Sequence, residues 1–172
     1  MAGRVEWFFG PSAAGKGTLI EAIAADEGHP LRVGLGLGAG VDVCQESFDT
    51  ERRGGLSELL AARIDRDVTL LVKGQTTDMT ERRIPQGLRS RCQQGVVFVW
   101  ADLSVLQRRC AERAEEQRRS GNARDYEYWR QHSCEVELFR YQIPEVQNLG
   151  IPTSCVKAQG GTFIMGSCPP GW

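Results

Sequence analysis

The sequence predicts an α/β fold, a parallel sheet of five strands flanked by helices on both faces. Three observations carry that expectation. Short β-branched or aromatic runs alternate with amphipathic segments along the chain. The clearest run, "VVFVWA" (96–101), is apolar throughout, as suits a strand buried on both faces. A loop of small residues with one lysine joins the first strand-like run to the first helical one, in "WFFGPSAAGKGTLIEAIAAD" (7–26).

Taken in order, "RVEWFF" (4–9) is a short apolar strand. "GKGTLIEAIAAD" (15–26) sets Leu19, Ile20, Ile23 and Ala24 on one helical face. "PLRVGL" (30–35) is a weaker strand, and "GLSELLAARIDR" (55–66) is an amphipathic helix. "VTLLVKG" (68–74) is a buried strand, and "PQGLRSRCQQG" (85–95) is expected to be helical. Strand 96–101 is followed by a charged helix, "LSVLQRRCAERAEEQRR" (103–119), and a break at "SGNARD" (120–125). A second helix runs from 126 to 146, up to Pro144; "PTSCVKA" (152–158) is the last clear strand. The tail "GGTFIMGSCPPGW" (160–172) reads as a strand or an ordered arm. No repeat, low-complexity tract or linker interrupts residues 1–172, which suit a single domain.

Composition excludes several classes. Hydrophobic residues make up 41% and charged ones 25%, ordinary for a globular chain. The net charge of −1 gives no global attraction to nucleic acid or an anionic membrane. No apolar run approaches the ~18 residues of a membrane span, and the N-terminus lacks the pattern of a secretory signal. The six cysteines (44, 92, 110, 134, 155, 168) form no Cys-x-x-Cys pair and accompany only two histidines, which argues against zinc. They are expected to be reduced thiols of a cytoplasmic protein, with Cys44 either near the active site by sequence position or a small apolar filler. Arginine far outnumbers lysine. A GC-rich genome accounts for that, and so do arginine forks gripping phosphates.

Gly10 and Gly15-Lys16 have the spacing of a phosphate-binding loop with a strand before and a helix after. Small residues let backbone N–H groups turn toward phosphate oxygens, and the helix adds the positive end of its dipole. Gly10, Ser12, Ala13, Ala14, Gly15, Lys16, Gly17 and Thr18 are therefore the nucleotide-binding set, with Lys16 reaching the β- and γ-phosphates of ATP. This is the signature of a P-loop NTPase fold. "GPSAAGKGT" resembles the loop of the adenylate kinase group of P-loop kinases, which carries Gly-Lys-Gly-Thr. In the common pattern a Ser or Thr directly after the lysine ligates magnesium. Gly17 stands there, leaving Thr18 as the metal candidate and much of the Mg²⁺ shell to water and nucleotide.

The resemblance to small P-loop kinases also implies an arginine-rich lid, here about 108–130. Arg109 and Arg113 share one helical face, and Arg118, Arg119 and Arg124 surround the break. Such arginines offset charge on the transferred phosphoryl group, so Arg109 and Arg113 join Lys16 as catalytic candidates. The alternative is a solvated helix paired by Glu112, Glu115 and Glu116.

On the acceptor side, "GVD" ending at Asp42 is similar to chloramphenicol phosphotransferases. There an aspartate after the second strand takes the acceptor's hydroxyl proton. The resemblance makes Asp42 the catalytic base, with Asp49 and Glu46 as alternatives. Arg52 and Arg53 would grip an acceptor phosphate; Lys73, Gln75 and Asp78 lie at the end of the third strand, where ligands bind in such sheets. The Asp-Gly-Phe-Pro-Arg run of adenylate-kinase-type enzymes is missing there, which counts against an ordinary nucleoside monophosphate kinase. "GLGLGAG" (34–40) matches a dinucleotide fingerprint only loosely and is set aside. Tyr126, Tyr128 and Trp129 pack in the core or stack on a nucleobase.

These readings converge on an ATP- and Mg²⁺-dependent kinase acting on a hydroxyl of a nucleotide-type acceptor. One candidate is a hydroxymethyl pyrimidine in DNA, as in the phage 5-hydroxymethyluracil DNA kinase group. The arginines at 52–53, 82–91 and 108–124 would then line a backbone groove. The alternatives are a small-molecule or antibiotic kinase and, in another class, an ATP-binding regulatory module.

Overall fold

The computed structural model describes residues 3–38, 40–44, 64, 68–73, 90–135, 144 and 147–169. Strand β1 is Arg4–Phe9, followed by helix α1 (Lys16–Ala25) and a short helix α2 (Pro30–Gly34). Strands β2 (Val41–Cys44), β3 (Thr69–Lys73) and β4 (Gln93–Trp100) come next. Helices α3 (Leu103–Arg119) and α4 (Ala123–Glu135) form a hairpin, and strands β5 (Thr153–Gln159) and β6 (Thr162–Gly166) complete the order. The sheet runs β2-β3-β1-β4-β5-β6. Its first five strands are parallel, as expected, and β6 is an added antiparallel edge.

Alternation along β1 builds both faces of the core. Val5, Trp7 and Phe9 point to one face with Leu70, Val72, Val96, Phe98 and the helical Ile64. Phe8 points to the other, under Leu19, Ile20 and Ile23 of α1, Leu31 of α2 and Leu106 of α3. The Trp7 indole N–H donates to Gln94 Oε1 at 2.6 Å, so the buried ring leaves no orphan donor. Glu6 is buried beside it, and the absence of a side chain at Gly95 makes room for its carboxylate. Arg4 pairs with Glu6 at 2.9 Å and donates to the Leu35 and Gly36 carbonyls at 3.0 and 3.1 Å. That fastens the end of α2 to the sheet.

Four elements differ from expectation. "PLRVGL" is a helix, not a strand: Pro30 presets the first-turn backbone, and His29 Nδ1 accepts from the Leu31 N–H at 3.2 Å. The strand that pairs with β3 is instead "VDVC", in a stretch to which no strand was assigned. Of the stretch 85–95 expected to be helical, residues 90–92 form a turn and Gln93–Gly95 open β4, paired with Arg4–Glu6; residues 85–89 lie outside the described residues. Helix α4 begins at Ala123, earlier than 126, because Asn122 Oδ1 accepts from the Asp125 N–H at 3.2 Å.

The β5–β6 turn is Gly160-Gly161 with φ of 59° and 84°, a left-handed pair that glycine adopts without steric cost. A disulfide joins Cys155 in β5 to Cys168 just beyond β6, with Cα atoms 5.0 Å apart. The expectation of reduced thiols throughout is corrected at this pair: strand pairing sets Cys155 opposite Gly166 and brings Cys168 within reach. Cys92 and Cys110 are buried and form no disulfide. No described helix is long and apolar enough to cross a membrane. The expected helix 55–66, apart from Ile64, and the helical reading of 136–143 lie outside the described residues, as does the expected groove at 52–53 and 82–89.

Candidate nucleotide and phosphate site

The loop from Gly10 to Thr18 leaves the carboxyl end of β1, in the middle of the sheet, and runs into α1. Gly10 has φ 132°, and a β-carbon there would strike the Val99 carbonyl of the neighbouring strand. The loop can therefore hug β4 only with glycine at its start. Ala13 is also left-handed, at φ 65°. No side chain caps α1, whose first turn carries no acidic residue. Its opening N–H groups face the loop with the positive end of the helix dipole, a seat for an anion.

Lys16 is buried and donates to the Gly10 and Pro11 carbonyls at 2.7 and 2.8 Å. Burial, reinforced by the nearby Lys73 and Arg113 charges, lowers its ammonium to about 7. Lys73 ends β3 level with Phe8, beside Gly17. Arg109 donates to the Ala13 carbonyl at 3.0 Å, one helical turn from Arg113, whose guanidinium lies 4.6 Å from the centre of the Trp129 ring. The start of α3 is fixed in turn by Lys157, which pairs with Asp102 at 2.8 Å.

Two recesses open on the loop. One of about 220 Å³ is bounded by Lys16, Thr18, Glu21, Lys73, Arg113 and Trp129. The other, about 230 Å³, lies between Arg109, Arg113 and the β5–β6 hairpin, where Phe163 faces Gly15. The structure thus brings together Ser12, Ala13, Gly15, Lys16, Gly17, Thr18, Lys73, Arg109 and Arg113 of the expected residues. Arg118 and Arg119 do not join them: both bind Glu115 on the exposed side, at 2.7 and 3.0 Å. These pairs hold the Glu115 carboxyl down at about 2. Asp49, Arg52, Arg53, Gln75 and Asp78 lie outside the described residues.

Asp42 is corrected in position. It does not follow the second strand but lies within β2, opposite Leu70, three rows below Lys73. At about 3.3 Å per residue that is roughly 10 Å short of the sheet's carboxyl edge. Its row points with Leu70 into the face away from α1, and it borders neither recess.

Two contributors escaped the sequence reading. Glu21 falls one turn after Thr18 on the same side of α1, a spacing visible in the sequence. Phe163 carries no local signal, because only the hairpin brings it to Gly15. The described residues hold no cluster of three or more His, Cys, Asp or Glu side chains that would cage a metal. A hydroxyl and a single carboxylate, Thr18 and Glu21, do fit Mg²⁺, which binds through few protein oxygens and keeps its waters.

Sheet order, loop and cation placement define a P-loop NTPase-like fold. A structure from the PezAT chromosomal toxin–antitoxin system of the human pathogen Streptococcus pneumoniae resembles it, with a TM-score of 0.55 at 11% identity. The match covers 95% of this chain and 71% of that one. The crystal structure of APE1195 aligns with a TM-score of 0.49 at 16% identity, over 73% of this chain and 75% of that one. No protein-family model matches the chain, and no curated protein does.

Proposed function

We propose that this protein is an ATP-dependent kinase that transfers the γ-phosphoryl group to a hydroxyl of a nucleotide-type acceptor. One observation carries the reading: Lys16, Lys73, Arg109 and Arg113 all border a loop whose helix N-terminus already favours an anion. A cleft so charged suits phosphoryl transfer, where positioning and charge stabilisation supply most of the catalysis. The loop's N–H groups and Lys16 hold the β- and γ-phosphates. Arg109 and Arg113 offset charge on the equatorial oxygens. Thr18 and Glu21 would hold Mg²⁺, which when bound neutralises phosphate charge. The acceptor oxygen forms a bond to phosphorus as the bond to the β–γ bridging oxygen breaks, and the hydroxyl proton passes to a carboxylate. We assign that base to Asp49 or Glu46, which follow Cys44 in the sequence, and not to Asp42. With Asp42 below that edge, the "GVD" likeness no longer favours an antibiotic kinase, and a cationic cleft repels polycationic alcohols.

The test is a transfer assay with γ-labelled ATP. It offers nucleosides, nucleoside monophosphates, plain DNA, DNA containing 5-hydroxymethyluracil, and aminoglycoside- or phenicol-type alcohols. Label should pass to a nucleotide-type acceptor and drop at least ~100-fold in Lys16→Ala. Transfer only to a small alcohol would sink the acceptor assignment. No transfer to any of them, with ATP bound, would replace the kinase by a regulatory module.

A further inference from the structure

We infer that the planar pair of Trp129 and Arg113 is the seat of the acceptor's base, and that Lys73 beside it receives the acceptor's phosphate. This deepens the kinase reading and rests on it. The two recesses share the loop but differ in their walls. The one under the β5–β6 hairpin is walled by Phe163, Ala158 and Arg109, and fits the base of the donor nucleotide. The other opens at the carboxyl end of β3, on the side of the sheet where β2 lies, and is left for the acceptor.

Its wall has the features of a stacking platform. Trp129 is half-buried, so its ring is neither sealed in the core nor loose in solvent. Tyr128 meets it edge-on, with centroids 5.1 Å apart and planes at 88°. Arg113 stands over it at 4.6 Å. Both neighbours restrict the indole, so little ordering cost remains when a ligand arrives. Guanidinium and indole planes each stack on nucleobases, so a flat acceptor finds two such groups side by side.

Charge argues for an anionic acceptor. Glu21 is the one carboxylate among the described residues bordering this recess, against Lys16, Lys73 and Arg113. Lys16 is already committed to the loop. Lys73, one strand over, is the cation placed to take a second phosphate. A base joined to a phosphate, free or within a strand of DNA, meets both features; a neutral sugar meets neither.

The experiment compares wild type with Trp129→Leu, Trp129→Phe and Lys73→Met. The probes are 5-hydroxymethyl-2′-deoxyuridine, its 5′-monophosphate, and a single-stranded oligonucleotide containing the same base. ATP affinity is measured calorimetrically, acceptor KM by label transfer, and acceptor binding by quenching of indole fluorescence. The Trp129→Phe difference isolates the Trp129 signal. Trp129→Leu should raise acceptor KM about 10-fold or more while the Kd for ATP moves less than about 2-fold, and Trp129→Phe should restore most of the loss. Lys73→Met should raise KM for the monophosphate more than for the nucleoside. Whichever of monophosphate and oligonucleotide binds tighter names the source of the base. Equal losses of ATP and acceptor binding in Trp129→Leu, or no rescue by Phe, would overturn the proposal. If the wild type transfers label to nothing, the kinase reading fails separately. Quenching by the monophosphate, present in wild type and lost in Trp129→Leu, would then uphold the base seat, and its absence would overturn it.

Discussion

At Lys16 the charge that phosphate needs is costly to maintain before phosphate arrives. Burial and two neighbouring cations bring its ammonium to about 7, while carbonyls of Gly10 and Pro11 keep it pointed into the loop. A bound triphosphate reverses that balance and raises the value again. The sign follows: nucleotide affinity is full below pH 7, where Lys16 is already protonated. It declines as pH rises through 7, because binding must then take up a proton. We expect the Kd for ATP to weaken about tenfold per pH unit above 7, with proton uptake visible by calorimetry in buffers of different ionisation enthalpy. A flat profile between pH 6.5 and 8.5 would mean that the ammonium is charged throughout. Glu6 shows the opposite arrangement. Burial raises its carboxyl, and Arg4 draws it back only in part.

At the scale of the element, strand β2 fixes where Asp42 lies. Asp42 is held in the ladder opposite Leu70, so Asp42→Asn should leave most of the transfer rate intact. Asp49→Asn or Glu46→Gln should cut it by about 100-fold or more with ATP binding retained. Rate measurements on the three variants check this, and a collapse in Asp42→Asn alone would restore the earlier assignment. The same strand marks where the sequence was legible. β1, α1, β3, α3 and β5 carried their own periods and were read nearly to the residue. "PLRVGL" was expected to be a strand, and no strand was expected at "VDVC". A proline at the helix start and a pairing partner far along the chain overruled both. The phosphate loop was readable because its chemistry lies in consecutive residues. The hairpin wall was not, since Phe163 reaches Gly15 only after the hairpin has folded over the loop.

Across the whole molecule, the sheet's edge beyond β5 depends on its tether. The Cys155–Cys168 bridge closes a loop with a sequence separation of 13, which in the chain-entropy account restrains the unfolded state by about 3 kcal/mol. Reduction, or Cys168→Ser, should lower Tm by roughly 5–10 °C in a chain of this size. The serine variant should no longer respond to dithiothreitol; an equal Tm with and without reductant would leave the edge to strand pairing alone. Phe163 against Gly15 has a further consequence, one of time. The loop precedes the hairpin in the sequence and is made before it during synthesis. Until the hairpin is made, a nascent chain therefore carries the loop, Lys16 included, without one wall of the recess beside Arg109. Nucleotide that needs this wall cannot be held until residue 163 has left the ribosome, so the protein acquires its ligand, and the stability a ligand brings, only when nearly all of its sheet exists.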